Sequence, residues 1–138
     1  MANEIPKSDK FTGLCQKVLR YSEVFHSIVD GGQKDGWGEL EAMIDVNTFE
    51  REGVFLGPVS ERIGWTDYKK YLSQFAGGSQ WEGSMRRITE VPGRVFLELE
   101  ERISRNGQKT VANTVTIYDF NKEGKLTHLD VYVSPQPS

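Results

Sequence analysis

The chain has 138 residues, and its 17 Lys and Arg residues against 20 Asp and Glu residues give a formal net charge of -3. Hydrophobic residues make up 37% and aromatic residues 11%, which is too apolar a composition for an intrinsically disordered chain. The slightly acidic balance disfavours a nucleic-acid binder, and no apolar run approaches the ~20 residues that a membrane span needs. We therefore expect one soluble globular domain over residues 1–138, with residues 1–9 and 134–138 flexible.

Few residues of this chain are suited to disulfides or metals. Cys15 is the one cysteine, so an internal disulfide is impossible and a reducing, cytoplasmic location fits best. The N-terminal residues 1–10 include acidic side chains and no apolar run, unlike a secretory signal. His26, His128 and Cys15 stand at no recognised metal-ligand spacing, and a carboxylate site stays open without a motif. We expect neither a metal nor a cofactor.

The first half of the chain has the periodicity of helices. From Phe11 to Val29, apolar residues recur at steps of three and four, which predicts an amphipathic helix. Similar patterns predict a second helix from Trp37 to Met43 and a third from about Thr66 to Phe75. A short strand from Phe49 to Leu56 separates the second and third helices.

The second half changes to a period of two. Alternation predicts strands from Val95 to Ile103, from Thr110 to Phe120 and from Leu126 to Val133, and the pattern from Ser84 to Val91 is mixed. The Asn-Gly pair at residues 106–107 is a hairpin signal. Helices followed by strands predict an α+β domain in which three helices cover one face of a curved, mixed or antiparallel sheet.

Three segments of the sequence carry a resemblance to known proteins: Glu39 to Gly53, Gly64 to Phe75 and Lys109 to Val133. They are similar to segments of the nuclear-transport-factor-2-like superfamily, especially of its SnoaL-like, ketosteroid-isomerase-like and limonene-epoxide-hydrolase-like members. The resemblance implies a cone-shaped sheet around an apolar pocket, and homodimerisation through the outer face of the sheet. It implies several functions, because related proteins include isomerases, polyketide cyclases, epoxide hydrolases and non-catalytic binders.

Glu101 is the first candidate catalytic residue. Strict alternation places it on the apolar face of its strand with Leu97, Leu99 and Ile103, where a carboxylate is costly unless it is paired or faces a cavity. The alternative is a bulge or an edge position where the side chain reaches water. Limonene-epoxide-hydrolase-like proteins carry an inward acid on the corresponding strand, whereas their paired inward arginine falls at Leu99 here.

Glu52 and Tyr21 are further candidates that the resemblance suggests. Laid without gaps on the isomerase-like pattern, Glu52 takes the position of the carboxylate base; the alternative is a solvated charged rim over residues 50–52. The family's helix tyrosine corresponds to Tyr21, or to Phe25 in another register. The isomerase-like proteins also have a protonated aspartate on the penultimate strand. The resemblance places Thr116 at that position, and a threonine hydroxyl is a weaker hydrogen-bond donor.

The remaining pocket residues follow from alternation and resemblance. The predicted substrate-binding residues are Phe25, Phe55, Trp81, Leu97, Leu99, Thr114, Thr116, Tyr118, Leu129 and Val131. Asp130 alternates with His128 and Tyr132 toward the outer face, where a dimer contact is expected, and His26 is expected at the surface.

We therefore expect a cofactor-independent enzyme that uses carboxylate acid/base chemistry on an apolar metabolite. A terpenoid, steroid or polyketide would undergo isomerisation, cyclisation or epoxide hydrolysis. The alternative is a non-catalytic small-molecule binder or a dimeric scaffold of the same fold.

Overall fold

The computed structural model describes residues 5–31, 37–54, 60–75 and 80–135. Within them the chain forms a 3-10 turn, three α-helices and six β-strands, which confirms the predicted α+β class. The elements are the 3-10 turn Ser8–Lys10, α1 (Gly13–Gly31), α2 (Trp37–Ala42), β1 (Glu50–Val54), β2 (Ser60–Gly64), α3 (Trp65–Phe75), β3 (Gln80–Val91), β4 (Arg94–Arg105), β5 (Gln108–Phe120) and β6 (Leu126–Pro135). No helix in this part of the chain is long and apolar enough to cross a membrane.

The six strands form one open, mixed sheet in the order β2-β1-β6-β5-β4-β3. All neighbours are antiparallel except β1 and β6, which run parallel. Asn106 and Gly107 have φ angles of 53° and 78°, as the predicted Asn-Gly hairpin turn between β4 and β5 requires.

The mixed pattern before β4 has a structural cause. Residues 80–91 form one long strand, and the pairing of β3 with β4 shifts between Met85 and Arg87. The extra residue, Arg86, breaks the period of two, so alternation could not reveal the whole strand. The short strand β2 was not predicted; it pairs over its five residues with β1.

The N-terminal residues contact the first helix. The helix starts at Gly13, and Ser8 lies in the separate 3-10 turn before it. The backbone N–H and the hydroxyl of Ser8 donate to the Glu23 carboxylate over 2.8 and 3.0 Å. The expected flexibility of residues 1–9 and 134–138 stays a prediction, and residues 1–4 and 136–138 lie outside the described residues.

One face of the sheet, here called the inner face, is covered by helices. The Tyr21 ring of α1 meets the Tyr118 ring of β5 edge-on, with centroids 6.0 Å apart. Strand register places Val95, Tyr118 and Leu129 in one row on this face, and all three are buried. The opposite, outer face carries most of the strands' charged side chains.

Candidate functional site

Glu101 lies on the inner face of β4. The preceding residues of the same parity, Leu97 and Leu99, are 1% and 6% exposed. The Trp81 indole Nε1–H donates to Glu101 Oε1 over 2.6 Å, and the Thr114 hydroxyl donates to Oε2 over 2.5 Å. Both oxygens of the carboxylate are thus held in place at the edge of an aliphatic surface, which is the arrangement that alternation in the sequence suggested.

Gly83 makes room for the tryptophan that holds Glu101. It lies directly opposite Glu101 in the β3–β4 pairing. A Cβ atom at Gly83 would come within 2.8 Å of Trp81 Cη2, closer than such contacts allow. The missing side chain therefore lets the indole fold back over its own strand and reach the carboxylate.

His26 stacks on the same indole. The imidazole and indole centroids are 3.4 Å apart with an interplanar angle of 14°, and His26 Nδ1 is buried without a hydrogen-bond partner among the described residues. The expected surface position is therefore wrong, because this side of α1 turns toward β3. Burial lowers the pKa of His26 to about 3, so the imidazole is neutral near neutral pH.

Three buried tyrosines lie on the inner side of the sheet with Glu101. Tyr21, Tyr68 and Tyr118 are 4–6% exposed, and burial is the main cause that raises the pKa of each phenol. The Glu101 carboxylate raises the pKa of Tyr68 and Tyr118 further, so it lies within electrostatic range of both. The Tyr21 hydroxyl has no well-formed hydrogen bond among the described residues, although the Tyr68 phenol is near it.

Phe25 belongs to the same aromatic group. The sequence analysis left open whether Tyr21 or Phe25 of the first helix faces the inner side, and in the structure both residues do. The Phe25 ring stacks against Tyr21 and Tyr68 with centroids 6.0 and 6.4 Å apart. Tyr21 and Phe25 are four residues apart, and one helical face therefore brings both to the inner side.

Arg51 is a buried residue of this region that the sequence analysis missed. It is 5% exposed and stands in register with Leu129, and therefore on the inner face. Its Nη1 donates to the Gly53 carbonyl over 3.2 Å, and its guanidinium carbon lies 5.6 Å from the centre of the Tyr68 ring. Period-two counting along β1 would have separated it from Glu50 and Glu52.

Glu52 lies on the outer face of the sheet, opposite the face that carries Glu101, so its position does not support the carboxylate-base role that the resemblance suggested. It is in register with Asp130 and Arg62, and its Oε1 lies 3.0 Å from Arg62 Nη2. A one-residue displacement in a strand exchanges the two faces of a sheet, so the face on which Glu52 lies depends on the register of β1 against β6. The outward placement of Asp130 with His128 agrees with the alternation.

The other predicted pocket residues share the inner face by register. They are Trp81, Leu97, Leu99, Thr114, Thr116, Tyr118, Leu129 and Val131. Phe55 lies outside the described residues. A cavity of about 350 Å³ opens between α1 and the β5–β6 turn, and Tyr21 is the one predicted site residue in its wall.

The chain was compared with protein-family models, curated protein sequences and solved structures, and only the solved structures are similar to it. No protein-family model matches the chain, and no curated protein matches it in sequence. An NTF2-like protein from Anabaena variabilis is similar in structure, with 16% identity, a TM-score of 0.69, and 91% of this chain and 96% of that chain covered.

Two further structures have stated functions. An LEH-like epoxide hydrolase from M. tuberculosis has 15% identity and a TM-score of 0.61, with 86% of this chain and 83% of that chain covered. A computationally designed 17-OHP binder has 15% identity and a TM-score of 0.62, with 87% and 98% covered. The strand order, the helix-covered inner face and these similarities together show that the chain has the NTF2-like fold.

Proposed function

We propose that the protein is a cofactor-independent enzyme that binds an apolar small molecule at the inner face and uses Glu101 to take up and return a proton. The observation that carries this proposal is the Glu101 carboxylate, held by Trp81 and Thr114 beside the aliphatic side chains of β4. The similar structures, an epoxide hydrolase and a designed small-molecule binder among them, support a ligand site in this fold.

The chemistry requires a fixed base and a fixed hydrogen-bond donor. A carboxylate whose orientation is set by two hydrogen bonds can take a proton from a carbon next to a carbonyl group, or from an attacking water molecule. Tyr21 and Tyr118 are the donors for the substrate oxygen that gains negative charge. Their raised pKa keeps both phenols protonated, so they can donate hydrogen bonds throughout the neutral range.

The proposed substrate is a terpenoid, steroid or polyketide, because the residues around Glu101 are aliphatic and aromatic. Isomerisation, cyclisation and epoxide hydrolysis all begin with the proton transfer assigned to Glu101. In isomerisation the same carboxyl group returns its proton to another carbon of the substrate. In cyclisation and epoxide hydrolysis it returns the proton to the alkoxide oxygen that ring closure or epoxide opening creates.

A second candidate function is ligand binding without turnover. Two buried polar atoms of this region, the Tyr21 hydroxyl and His26 Nδ1, make no well-formed hydrogen bond among the described residues. Buried polar groups are normally satisfied, so a ligand with a hydroxyl or carbonyl group would relieve this cost. The similarity to a designed 17-OHP binder supports the same function.

The decisive experiment compares Glu101→Gln with Glu98→Gln. Glu98 lies on the same strand but on the outer face, where it pairs with Arg87 over 3.2 Å. Purified proteins are incubated with terpene epoxides and β,γ-unsaturated ketosteroids, and the products are separated by chromatography and detected by mass spectrometry. We expect Glu101→Gln to lower turnover by about 100-fold or more, and Glu98→Gln to match wild type.

Two outcomes would contradict the enzyme proposal. Equal turnover of wild type and Glu101→Gln would show that Glu101 is not the catalytic base. Saturable binding of the ketosteroid with no product in any variant would support the binding function instead. Circular dichroism and thermal unfolding of each variant check that a lost activity does not reflect a lost fold.

We also propose that the protein forms a homodimer through its outer face and is located in the cytoplasm. Tyr132 on that face is 60% exposed. Light scattering on a sizing column would report a dimer for wild type and a monomer for Tyr132→Glu; a monomeric wild type would contradict the dimer.

A further inference from the structure

A second group of polar side chains lies on the outer face, at the seam between β1 and β6. The parallel pairing sets Glu50 opposite His128 and Glu52 opposite Asp130. Residues two apart on a strand share a face, so these four side chains occupy neighbouring positions. Glu52 and His128 are far apart in sequence, which is why no local spacing signals this group.

Three of these side chains converge on one point. His128 Nε2 lies 3.2 Å from Glu52 Oε1 and 3.0 Å from Asp130 Oδ1. One ligand atom from each residue lies within 4.8 Å of the other two, and all three residues are half-buried. A ring nitrogen of histidine carries at most one proton, so it cannot make two good hydrogen bonds to both oxygens at once.

The spacing matches the ligands of a metal ion. Nitrogen and oxygen ligands lie ~2.0–2.2 Å from Zn²⁺, so neighbouring ligands of a tetrahedral ion are ~3.3–3.6 Å apart. The two distances from His128 Nε2, 3.0 and 3.2 Å, are slightly shorter than this, and the three ligand atoms all lie within 4.8 Å of one another, so small side-chain shifts would give that geometry. The imidazole nitrogen favours a borderline transition metal over Mg²⁺ or Ca²⁺, which prefer oxygen ligands only.

We propose that Glu52, His128 and Asp130 bind one divalent transition-metal ion of the Zn²⁺ type, with a remaining coordination position open to water or another ligand. The ion would join β1 to β6, whose pairing extends only over residues 50–53 of β1. The site lies on the opposite face of the sheet from Glu101. The metal-binding proposal therefore does not depend on the proposed enzyme activity.

Neighbouring charges set the limits of this site. Glu50 Oε1 lies 3.9 Å from His128 Nδ1 and adds negative potential near the ion. Arg62 Nη2 lies 3.0 Å from Glu52 Oε1 and competes with a metal for that oxygen. The Arg62 side chain is 62% exposed, so it can move into solvent when an ion binds. Asp119, in register with His128, pairs instead with Arg94 over 2.5 Å.

Titration of tag-free, chelator-treated protein with Zn²⁺ tests the proposal. We expect one ion per chain by calorimetry, and Co²⁺ to give the visible absorption bands of inner-sphere coordination. His128→Ala and Asp130→Asn should each weaken Zn²⁺ binding by about tenfold or more. Glu98→Gln, an acid elsewhere on the outer face, should bind like wild type.

The sequence makes the histidine variant informative, because the chain has only two histidines and His26 stacks inside the domain. Zn²⁺ should also raise the melting temperature of wild type but not of His128→Ala. A cooperative melting transition in both proteins shows that both are folded. The absence of saturable Zn²⁺ binding, or unchanged affinity in both His128→Ala and Asp130→Asn, would overturn the proposal.

Discussion

Replacing His26 with phenylalanine should make the protein less sensitive to mild acid. The imidazole lies flat on Trp81 and its Nδ1 is buried, and burial lowers the pKa of His26 to about 3. A phenylalanine ring can keep the stacking contact but cannot take up a proton. The variant therefore isolates the free energy of keeping one imidazole neutral in the folded state.

The size and sign of the effect follow from the two pKa values. In the unfolded chain the His26 pKa returns to 6.5, so below that pH the unfolded state binds a proton that the folded state does not. The stability that neutral His26 contributes is complete above this value and is lost as the pH falls toward 3. Between about pH 7 and about pH 5, the free energy of unfolding should fall by about 2 kcal/mol through His26 alone.

The assay is urea unfolding, followed by circular dichroism, of wild type and His26→Phe across that pH range. Carboxylates titrate in both proteins, so their contribution cancels in the comparison. Wild type should lose about 2 kcal/mol more than the variant between the two pH values. Equal losses would refute the reasoning, because they would mean that His26 protonates as easily in the folded protein as in the unfolded chain.

Three further substitutions test contacts on the inner face of the sheet. Trp81→Phe removes the N–H donor to Glu101, and should lower stability by about 1–2 kcal/mol in urea unfolding and turnover by about tenfold. Gly83→Ala should displace the indole, cost about 1–3 kcal/mol and shift tryptophan fluorescence, whereas Gly38→Ala, with open space around it, should not destabilise the protein. Arg51→Met removes the buried donor to the Gly53 carbonyl and should cost about 1–3 kcal/mol, whereas Arg87→Met at a 72% exposed side chain should stay within about 0.5 kcal/mol of wild type. Unchanged unfolding in Trp81→Phe, Gly83→Ala or Arg51→Met would contradict the contact that it tests.

Local periodicity in the sequence was enough to predict most elements of the fold. The apolar spacing of α1 and α3, the alternation of β4 and β6 and the Asn-Gly turn all depend on residues close together in the chain. The same alternation suggested the inward direction of Glu101. Where the bulge at residues 85–87 breaks the period, the pattern is mixed, and the sequence analysis predicted no strand at the position of β3.

Pairing between distant segments decided the rest. Whether Arg51 or Glu52 faces inward depends on the register of β1 against β6, which no local pattern in a five-residue strand specifies. The position of His26 on Trp81 depends on how α1 crosses β3, and Glu52 meets His128 only because two strands far apart in sequence run parallel. Side-chain spacing along one segment is a property of the chain itself, but the contacts between segments exist only once the whole domain has folded.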